Sequence, residues 1–334
     1  MKFKGLYVLF ALLVLLPAVA PAKQQQGVIT LRVDLSQYGD KTARLWLPYP
    51  LSGDYQIIEK LDVNGSFIQS AVYRDPESHS LFLFAQWEKR QPSKILTMTF
   101  KVTVKERKSG PLTDTGEPVP VEIKPYLQAE SWIPTEGEVA KIAQNLAKDK
   151  TTILEKARAV YDWVVENTSR DPNVRGCGTG IVERTLAKRS GKCADLSSVF
   201  VALARNIGVP SREVFGLRLG KQDNQDITGG YHCWAEFYLP GTGWVPVDPS
   251  DVRKKMLAEN LSLSDVAEFR EYYFGAVDEY RITLEKGGRN IRLPFSEAPE
   301  PLNYLMYPYA EIGGKPLDYF DFEDFKYSVY FHNK

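Results

Sequence analysis

The N-terminal third of the chain alternates apolar and polar positions, with the two-residue period of half-buried β-strands. The alternation runs through five segments: VITLRVDL, TARLWLPYP, SAVYRD, SLFLFAQWE and KILTMTFKVTVKE. Runs of turn-forming residues, such as DVNGS and RDPESHS, lie between them. Several short strands at this spacing predict a β-sandwich over residues 28–106.

Residues 107–134 are rich in Pro and Gly and are typical of a linker. After them, the spacing of the apolar residues changes from a two-residue period to a helical one. Apolar residues then recur at helical intervals in EGEVAKIAQNLAKD and TTILEKARAVYDWVVENT. A further helix is predicted to begin at Cys193 and to end before Pro210. Its apolar residues form a single stripe: Leu196, Val199, Phe200, Leu203 and Ile207.

Three strands are predicted directly after the Cys193 helix, in the segments REVFGLRLG, YHCWAEFYL and WVPVD. The PGTG turn between the second and third makes these two strands neighbours in an antiparallel sheet. A helix followed by an antiparallel sheet is an α+β unit. We assign residues 135–334 to this α+β core, with a β extension at its C-terminus.

The first 22 residues have the three parts of a signal peptide: a basic start, the apolar run LYVLFALLVLL and the small residues PAVAPA. Cleavage is predicted after Ala22. A membrane anchor is the alternative, but the apolar run is shorter than the roughly 20 residues that span a bilayer. We therefore expect an exported protein, periplasmic or extracellular, with no stable membrane insertion after cleavage.

Charge argues against nucleic acid as a partner. The chain has 334 residues, with 42 Lys and Arg against 42 Asp and Glu, and no sustained basic run. Metal and cofactor sites are not expected either. The three histidines are scattered, and the three cysteines include no C-x-x-C pair.

Candidate chemistry centres on Cys193, because a thiol at a helix N-terminus has a lowered pKa and is more readily a thiolate. His232 is the one histidine in a regular element just downstream, and it is the candidate base. Asp248, at the end of the following strand, is the candidate carboxylate that orients the imidazole. Asp195 and Asp251 remain alternatives for this last role.

Three segments, GKCADLSSVFVALARNIGVPSREVFG, HCWAEFYLPGTGWVPVDPSD and YDWVVENT, resemble the transglutaminase-like core, which has a papain-like fold. The resemblance covers roughly residues 150–255. It implies helices packed on an antiparallel sheet, here preceded by the β-sandwich. By position it makes Cys193 the nucleophile, His232 the base and Asp248 the orienting acid. Tyr161 or Trp163 is a candidate for a second oxyanion donor, with a core role equally open.

The expected reaction is acyl transfer from an amide through a thioester on Cys193. With water as acceptor the protein is a peptidase or amidase acting on protein or peptide substrates, which we favour. With an amine as acceptor it is a transglutaminase. A catalytically silent binding or scaffold protein is the third alternative.

The other two cysteines receive a structural interpretation. Strand alternation places Cys233 on the face opposite His232, so we do not expect it to join the chemistry. An exported chain with three cysteines leaves at least one thiol unpaired. We therefore hypothesise a Cys177–Cys233 disulfide that leaves Cys193 free.

Overall fold

The structure is a computed structural model that describes residues 22–76 and 79–333. The predicted signal peptide therefore lies almost entirely outside the described residues. The helices are α1 (Gly137–Ala147), α2 (Ile153–Asn167), α3 (Val182–Lys188), α4 (Cys193–Asn206), α5 (Pro249–Glu259) and α6 (Ala267–Tyr272), with 3-10 turns at Ser36–Tyr38 and Val121–Leu127. The strands are β1 (Gln24–Asp34), β2 (Ala43–Pro48), β3 (Gln56–Gly65), β4 (Gln69–Arg74), β5 (Leu81–Trp87), β6 (Ile95–Lys105), β7 (Arg107–Lys108), β8 (Ser169–Arg170), β9 (Ser190–Gly191), β10 (Ser211–Arg218), β11 (Gln225–Asp226), β12 (Tyr231–Leu239), β13 (Gly243–Val247), β14 (Ala276–Val277), β15 (Arg281–Lys286), β16 (Tyr309–Ile312), β17 (Lys315–Pro316) and β18 (Lys326–His332).

The predicted β-sandwich is confirmed, and it consists of two five-stranded antiparallel sheets. One sheet has the order β11-β18-β1-β6-β3 and the other β17-β16-β2-β5-β4. Burial alternates residue by residue along β6, as expected for a strand with one face on a core. The apolar faces of β1, β2 and β6 meet in one cluster that includes Val33, Leu45 and Val102.

The C-terminal segment completes this sandwich. Strand β18 pairs with β1, for example Phe331 opposite Ile29, and β16 pairs with β2, with Tyr309 opposite Trp46. Sequence patterning alone assigns these strands to the core as an extension, whereas their pairing places them in the sandwich sheets. Periodicity predicts a strand but carries no information on its partner.

Strand β3 occupies residues that the sequence analysis takes as a turn. The DVNGS motif lies at its end, and a register shift against β6 falls between Glu59 and Asp62. Within that bulge Lys60 has a φ of 52°, the left-handed region that turn residues adopt. A bulge disrupts the two-residue alternation, and for this reason the strand is missed.

The predicted α+β core is confirmed. Its antiparallel sheet has the order β13-β12-β10-β15, and α4 packs on β12 and β10. Helices α1, α2, α3 and α5 also pack against α4, so every residue from Cys193 to Arg205 is buried. The single apolar stripe predicted for α4 is therefore too narrow, because this helix is enclosed on all sides.

The predicted linker contacts the core. Strand β7 pairs with β14, and the Arg107 side chain donates hydrogen bonds to Glu236 and to the Trp244 carbonyl. Within residues 22–76 and 79–333, no helix has the length and apolar character needed to cross a membrane.

Candidate active site

Cys193 is the first residue of α4, where the helix presents unpaired N–H groups and partial positive charge. Burial alone would raise the pKa of its thiol, which is only 2% exposed. Hydrogen bonds from two neighbouring thiols and the charge of the His232 imidazole outweigh burial and lower that pKa well below its ordinary value. The site therefore favours a thiolate at Cys193.

His232 and Asp248 come together through the β12–β13 hairpin, which pairs Ala235 with Val247. Asp248 follows β13 directly and is the N-cap of α5, where one carboxylate oxygen accepts the Asp251 N–H at 2.9 Å. The other carboxylate oxygen lies 2.7 Å from Nε2 of His232. Asp248 is therefore held by the backbone of α5 while it contacts the imidazole.

Opposed charges and burial set the pKa of the His232 imidazole. Burial and the Arg218 guanidinium act to lower the pKa of His232. Nearby negative charges, led by the Asp248 carboxylate, outweigh them and raise that pKa. Since Asp248 accepts a hydrogen bond from Nε2, we assign the shared proton to Nε2, which leaves Nδ1 as the nitrogen that can exchange a proton with the thiol.

Arg281 is a residue of this site that the sequence analysis missed. It is buried on β15 and its guanidinium contacts Asp248 directly, Asp251 at 2.7 Å and Asp278 at 3.0 Å. Three carboxylates around one arginine compensate its buried charge, which would be very costly alone. A single arginine in a strand segment gives no sequence signal of this contact.

The alternative carboxylates have other partners. Asp251 lies 3.6 Å from Nε2 of His232, farther than Asp248, and it is bonded to Arg218 at 2.5 Å. Asp195 accepts the backbone N–H groups of Lys192, at 2.9 Å, and Gly180, at 2.9 Å. Asp195 thus joins the start of α4 to the preceding loop and does not orient the imidazole.

The remaining two cysteines lie beside Cys193. The Sγ atoms of Cys177, Cys193 and Cys233 all lie within 4.8 Å of one another, and all three are free buried thiols. The expected Cys177–Cys233 disulfide is thus not formed. That Cys233 does not join the chemistry stays a prediction, although its sulfur lies beside that of Cys193, which is also near His232.

The two upstream aromatic residues serve packing. Tyr161 is fully buried, and its hydroxyl donates to the Arg270 carbonyl at 2.8 Å. The centroid of the Trp163 ring lies 4.7 Å from the guanidinium carbon of Arg189. Of the two roles that the sequence leaves open for these residues, the structure shows the packing role.

A loop around Cys177 lies against the start of α4. The Cys177 carbonyl accepts the Ala194 N–H at 2.9 Å, and the Cys177 N–H donates to the Tyr307 hydroxyl at 3.0 Å. Tyr304 and Asn303 donate to the carbonyls of the next two loop residues. The C-terminal segment therefore fixes the loop beside the Cys193 thiol.

Known proteins resemble this chain to different extents. Residues 140–249 match the model of the transglutaminase-like superfamily. An uncharacterised protein of Haemophilus influenzae is 36% identical over 315 residues, which cover 85% of this chain and 84% of the relative. The chain belongs to the transglutaminase-like superfamily. This membership supports a cysteine-dependent enzyme in general terms.

One further relative and one solved structure are less similar in sequence to this chain. The uncharacterised protein YebA of Bacillus subtilis is 27% identical over 139 residues, which are 37% of this chain and 19% of YebA. A crystal structure of a candidate cysteine protease from Cytophaga hutchinsonii aligns with this chain at a TM-score of 0.52 and 15% identity. That alignment covers 93% of this chain and all of the other, so the sandwich and the core occur together in both folds.

Proposed function

We propose that the protein is an exported enzyme that cleaves amide bonds in proteins or peptides through a Cys193–His232–Asp248 triad and a thioester intermediate. One observation carries the proposal. A thiol with a lowered pKa begins α4 beside an imidazole whose Nε2 lies 2.7 Å from a carboxylate oxygen. These are the parts that nucleophilic acyl transfer requires.

The first half-reaction forms the thioester. The Cys193 thiolate attacks the amide carbonyl, and the backbone N–H of Cys193 at the helix start stabilises the oxyanion. The His232 imidazolium then gives its proton to the leaving amine as the carbon–nitrogen bond breaks. Asp248 holds the imidazole in the required orientation throughout.

The second half-reaction releases the product. Neutral His232 takes a proton from water, the hydroxide attacks the thioester, and the carboxylic acid leaves as the Cys193 thiolate returns. Acid–base assistance of this kind contributes about 10²–10⁴ in rate. We favour water over an amine as the acceptor because water is abundant outside the cell. The export itself is proposed from the sequence of residues 1–22.

A substrate screen tests this function. The protein without residues 1–22 is incubated with a mixture of denatured proteins and a primary-amine reporter, and products are identified by mass spectrometry. We expect new protein N-termini that disappear in Cys193→Ala and persist in His79→Ala, an exposed histidine of the sandwich. Incorporation of the amine reporter would instead indicate a transglutaminase, and the absence of both products would contradict the proposal.

A further inference from the structure

We propose that Cys177, Cys193 and Cys233 form a binding site for one soft d10 metal ion, and that Cu⁺ is the ion it fits best. Metal binding there engages the sulfur that the proposed function uses as nucleophile. The binding itself stands on the geometry of the three sulfurs. Only the consequence, reversible inactivation of the enzyme by the metal, rests on the proposed function.

The three sulfurs come from three separate elements. Cys177 lies in the loop before α3, Cys193 begins α4, and Cys233 lies in β12. Their Sγ atoms are all within 4.8 Å of one another. A metal–thiolate bond is about 2.3 Å, so three sulfurs around one ion lie roughly 4 Å apart. The observed cluster therefore needs side-chain movements of less than about 1 Å to enclose an ion.

The neighbouring donor is also a soft ligand. The Met306 sulfur lies 3.6 Å from the Cys233 sulfur, so that a thioether adjoins the three thiols. Thiolate and thioether ligands select Cu⁺ and zinc over the hard cations that prefer oxygen. Zn²⁺ requires a fourth strong ligand in a tetrahedral site. The Met306 thioether is a weak, soft donor of the kind that Cu⁺ accepts, and this favours Cu⁺ with three sulfurs and a weak thioether.

Charge is compatible with one monovalent ion. Each thiol that binds loses its proton, so that a protein thiol and Cu⁺ give a copper thiolate and H⁺. Three thiolates and one Cu⁺ carry a net charge of −2, and the neighbouring His232 imidazolium offsets one unit of it.

A second cluster of potential ligands does not carry this inference. His232, Asp248 and Asp251 also lie within 4.8 Å of one another. Their carboxylate oxygens, however, already accept hydrogen bonds from the Arg281 and Arg218 guanidinium groups. These two guanidinium groups therefore compensate the carboxylate charge in place of a metal ion.

An anaerobic titration tests the site. The free thiols of the unfolded protein are counted first, and the folded chain is then titrated with Cu⁺ in competition with the chromogenic chelator bicinchoninate. We expect three thiols and one Cu⁺ per chain. Affinity is expected to fall at least about tenfold in Cys177→Ser and in Cys233→Ala, as typical for loss of a ligand or its close support. Met306→Leu should weaken binding less, and Met256→Leu should leave it unchanged.

Two results would overturn the inference. One is a thiol count below three, and the other is Cu⁺ binding that is absent or equally tight in both cysteine variants, whose folding is checked by circular dichroism. Iodoacetamide labelling separates this test from that of the proposed function. Bound Cu⁺ should protect Cys193 from labelling. Slow labelling of the metal-free protein would contradict the catalytic role and leave the metal site standing.

Discussion

Asp248 serves two structural tasks at once, and this explains why it, rather than Asp251, contacts His232 most closely. One carboxylate oxygen caps α5, and the other lies 2.7 Å from Nε2 of His232 and also accepts from Arg281. Pro249 at the first turn of α5 fixes the chain directly after the cap. The position of the carboxylate is thus determined by the backbone and by a buried arginine together.

Replacement of this carboxylate tests its role. Asp248→Asn keeps the size of the side chain but removes the charge that stabilises the imidazolium, so we expect amide cleavage to fall by about 10²–10⁴. Asp278→Asn is the matched control, because Asp278 contacts the same Arg281 at 3.0 Å. The assignment is wrong if both variants lose the same activity, measured as kcat/KM at equal folded fraction.

The expected pH dependence of activity follows from the opposed pKa shifts of Cys193 and His232. The proposed mechanism needs the Cys193 thiolate and the His232 imidazolium together. The pKa of Cys193 is lowered and that of His232 is raised, so their charged forms coexist over a wider pH range than those of the free side chains. Activity and the ion pair's contribution to stability are both lost as pH falls through the thiol pKa and as pH rises through the imidazole pKa.

A profile of kcat/KM against pH on a peptide amide measures this range. We expect a bell whose alkaline limb lies above about 6.5, the ordinary pKa of histidine, and whose acid limb lies below the ordinary thiol value. A single rise with a midpoint near about 8.5 would indicate a thiol without an activating imidazole.

At the scale of elements, the start of α4 and the Cys177 loop form one unit. Asp195 in the first turn of α4 accepts the backbone N–H groups of Thr179 and Gly180, and Gly191 packs on its side chain. A Cβ at position 191 would lie 2.5 Å from the Cβ of Asp195, so only glycine leaves room for this contact. The Cys177 loop is therefore attached to the helix that carries Cys193.

Loosening the loop from its other side tests whether it limits access. Tyr307→Phe removes the hydroxyl that accepts the Cys177 N–H, at a cost of about 0.5–1.5 kcal/mol for one hydrogen bond. We expect faster alkylation of Cys193, because the loop opens more often. Tyr55→Phe, at an exposed tyrosine of the sandwich, is the control. An unchanged rate in Tyr307→Phe would show that the loop does not limit access.

At the scale of the whole molecule, the C-terminal strands pair with the N-terminal strands of the sandwich. Strand β18 lies between β11 and β1, so that the last strand is an interior member of a sandwich sheet and pairs with a strand from the core region. The segment that fixes the Cys177 loop lies on the same return path, just before β16. The sandwich and the catalytic core thus share the C-terminal segment.

This topology predicts that the core does not fold as an independent C-terminal fragment. A fragment of residues 135–334 retains β16 and β18 without their partners β2 and β1, which exposes apolar residues and unpaired strand edges. We expect aggregation or the absence of a cooperative thermal transition, whereas residues 23–334 should unfold cooperatively. A fragment with a sharp transition would contradict this account.

The sequence predicts local features well where one pattern suffices. The alternation in β6, the N-terminal position of Cys193 on α4 and the hairpin around PGTG are all readable from adjacent residues. Contacts between distant segments are not. Arg281 on Asp248, Tyr307 on Cys177 and the convergence of the three sulfurs depend on how separate elements pack, and no local period encodes that packing.

The most direct measurement is competitive alkylation of the three cysteines in one protein, with limiting iodoacetamide at about pH 6, well below the ordinary thiol pKa of about 8.5. Cys193, Cys177 and Cys233 are similarly buried, at 2%, 3% and 0% exposure, so static burial alone predicts no preference among them, and the His232→Ala variant separates activation of Cys193 from access to it. Peptide mapping should show Cys193 modified at least about tenfold faster, with this preference lost in His232→Ala and retained in His79→Ala. Equal rates for the three thiols, or a preference indifferent to His232, would contradict the thiolate–imidazolium pair on which the proposed function depends.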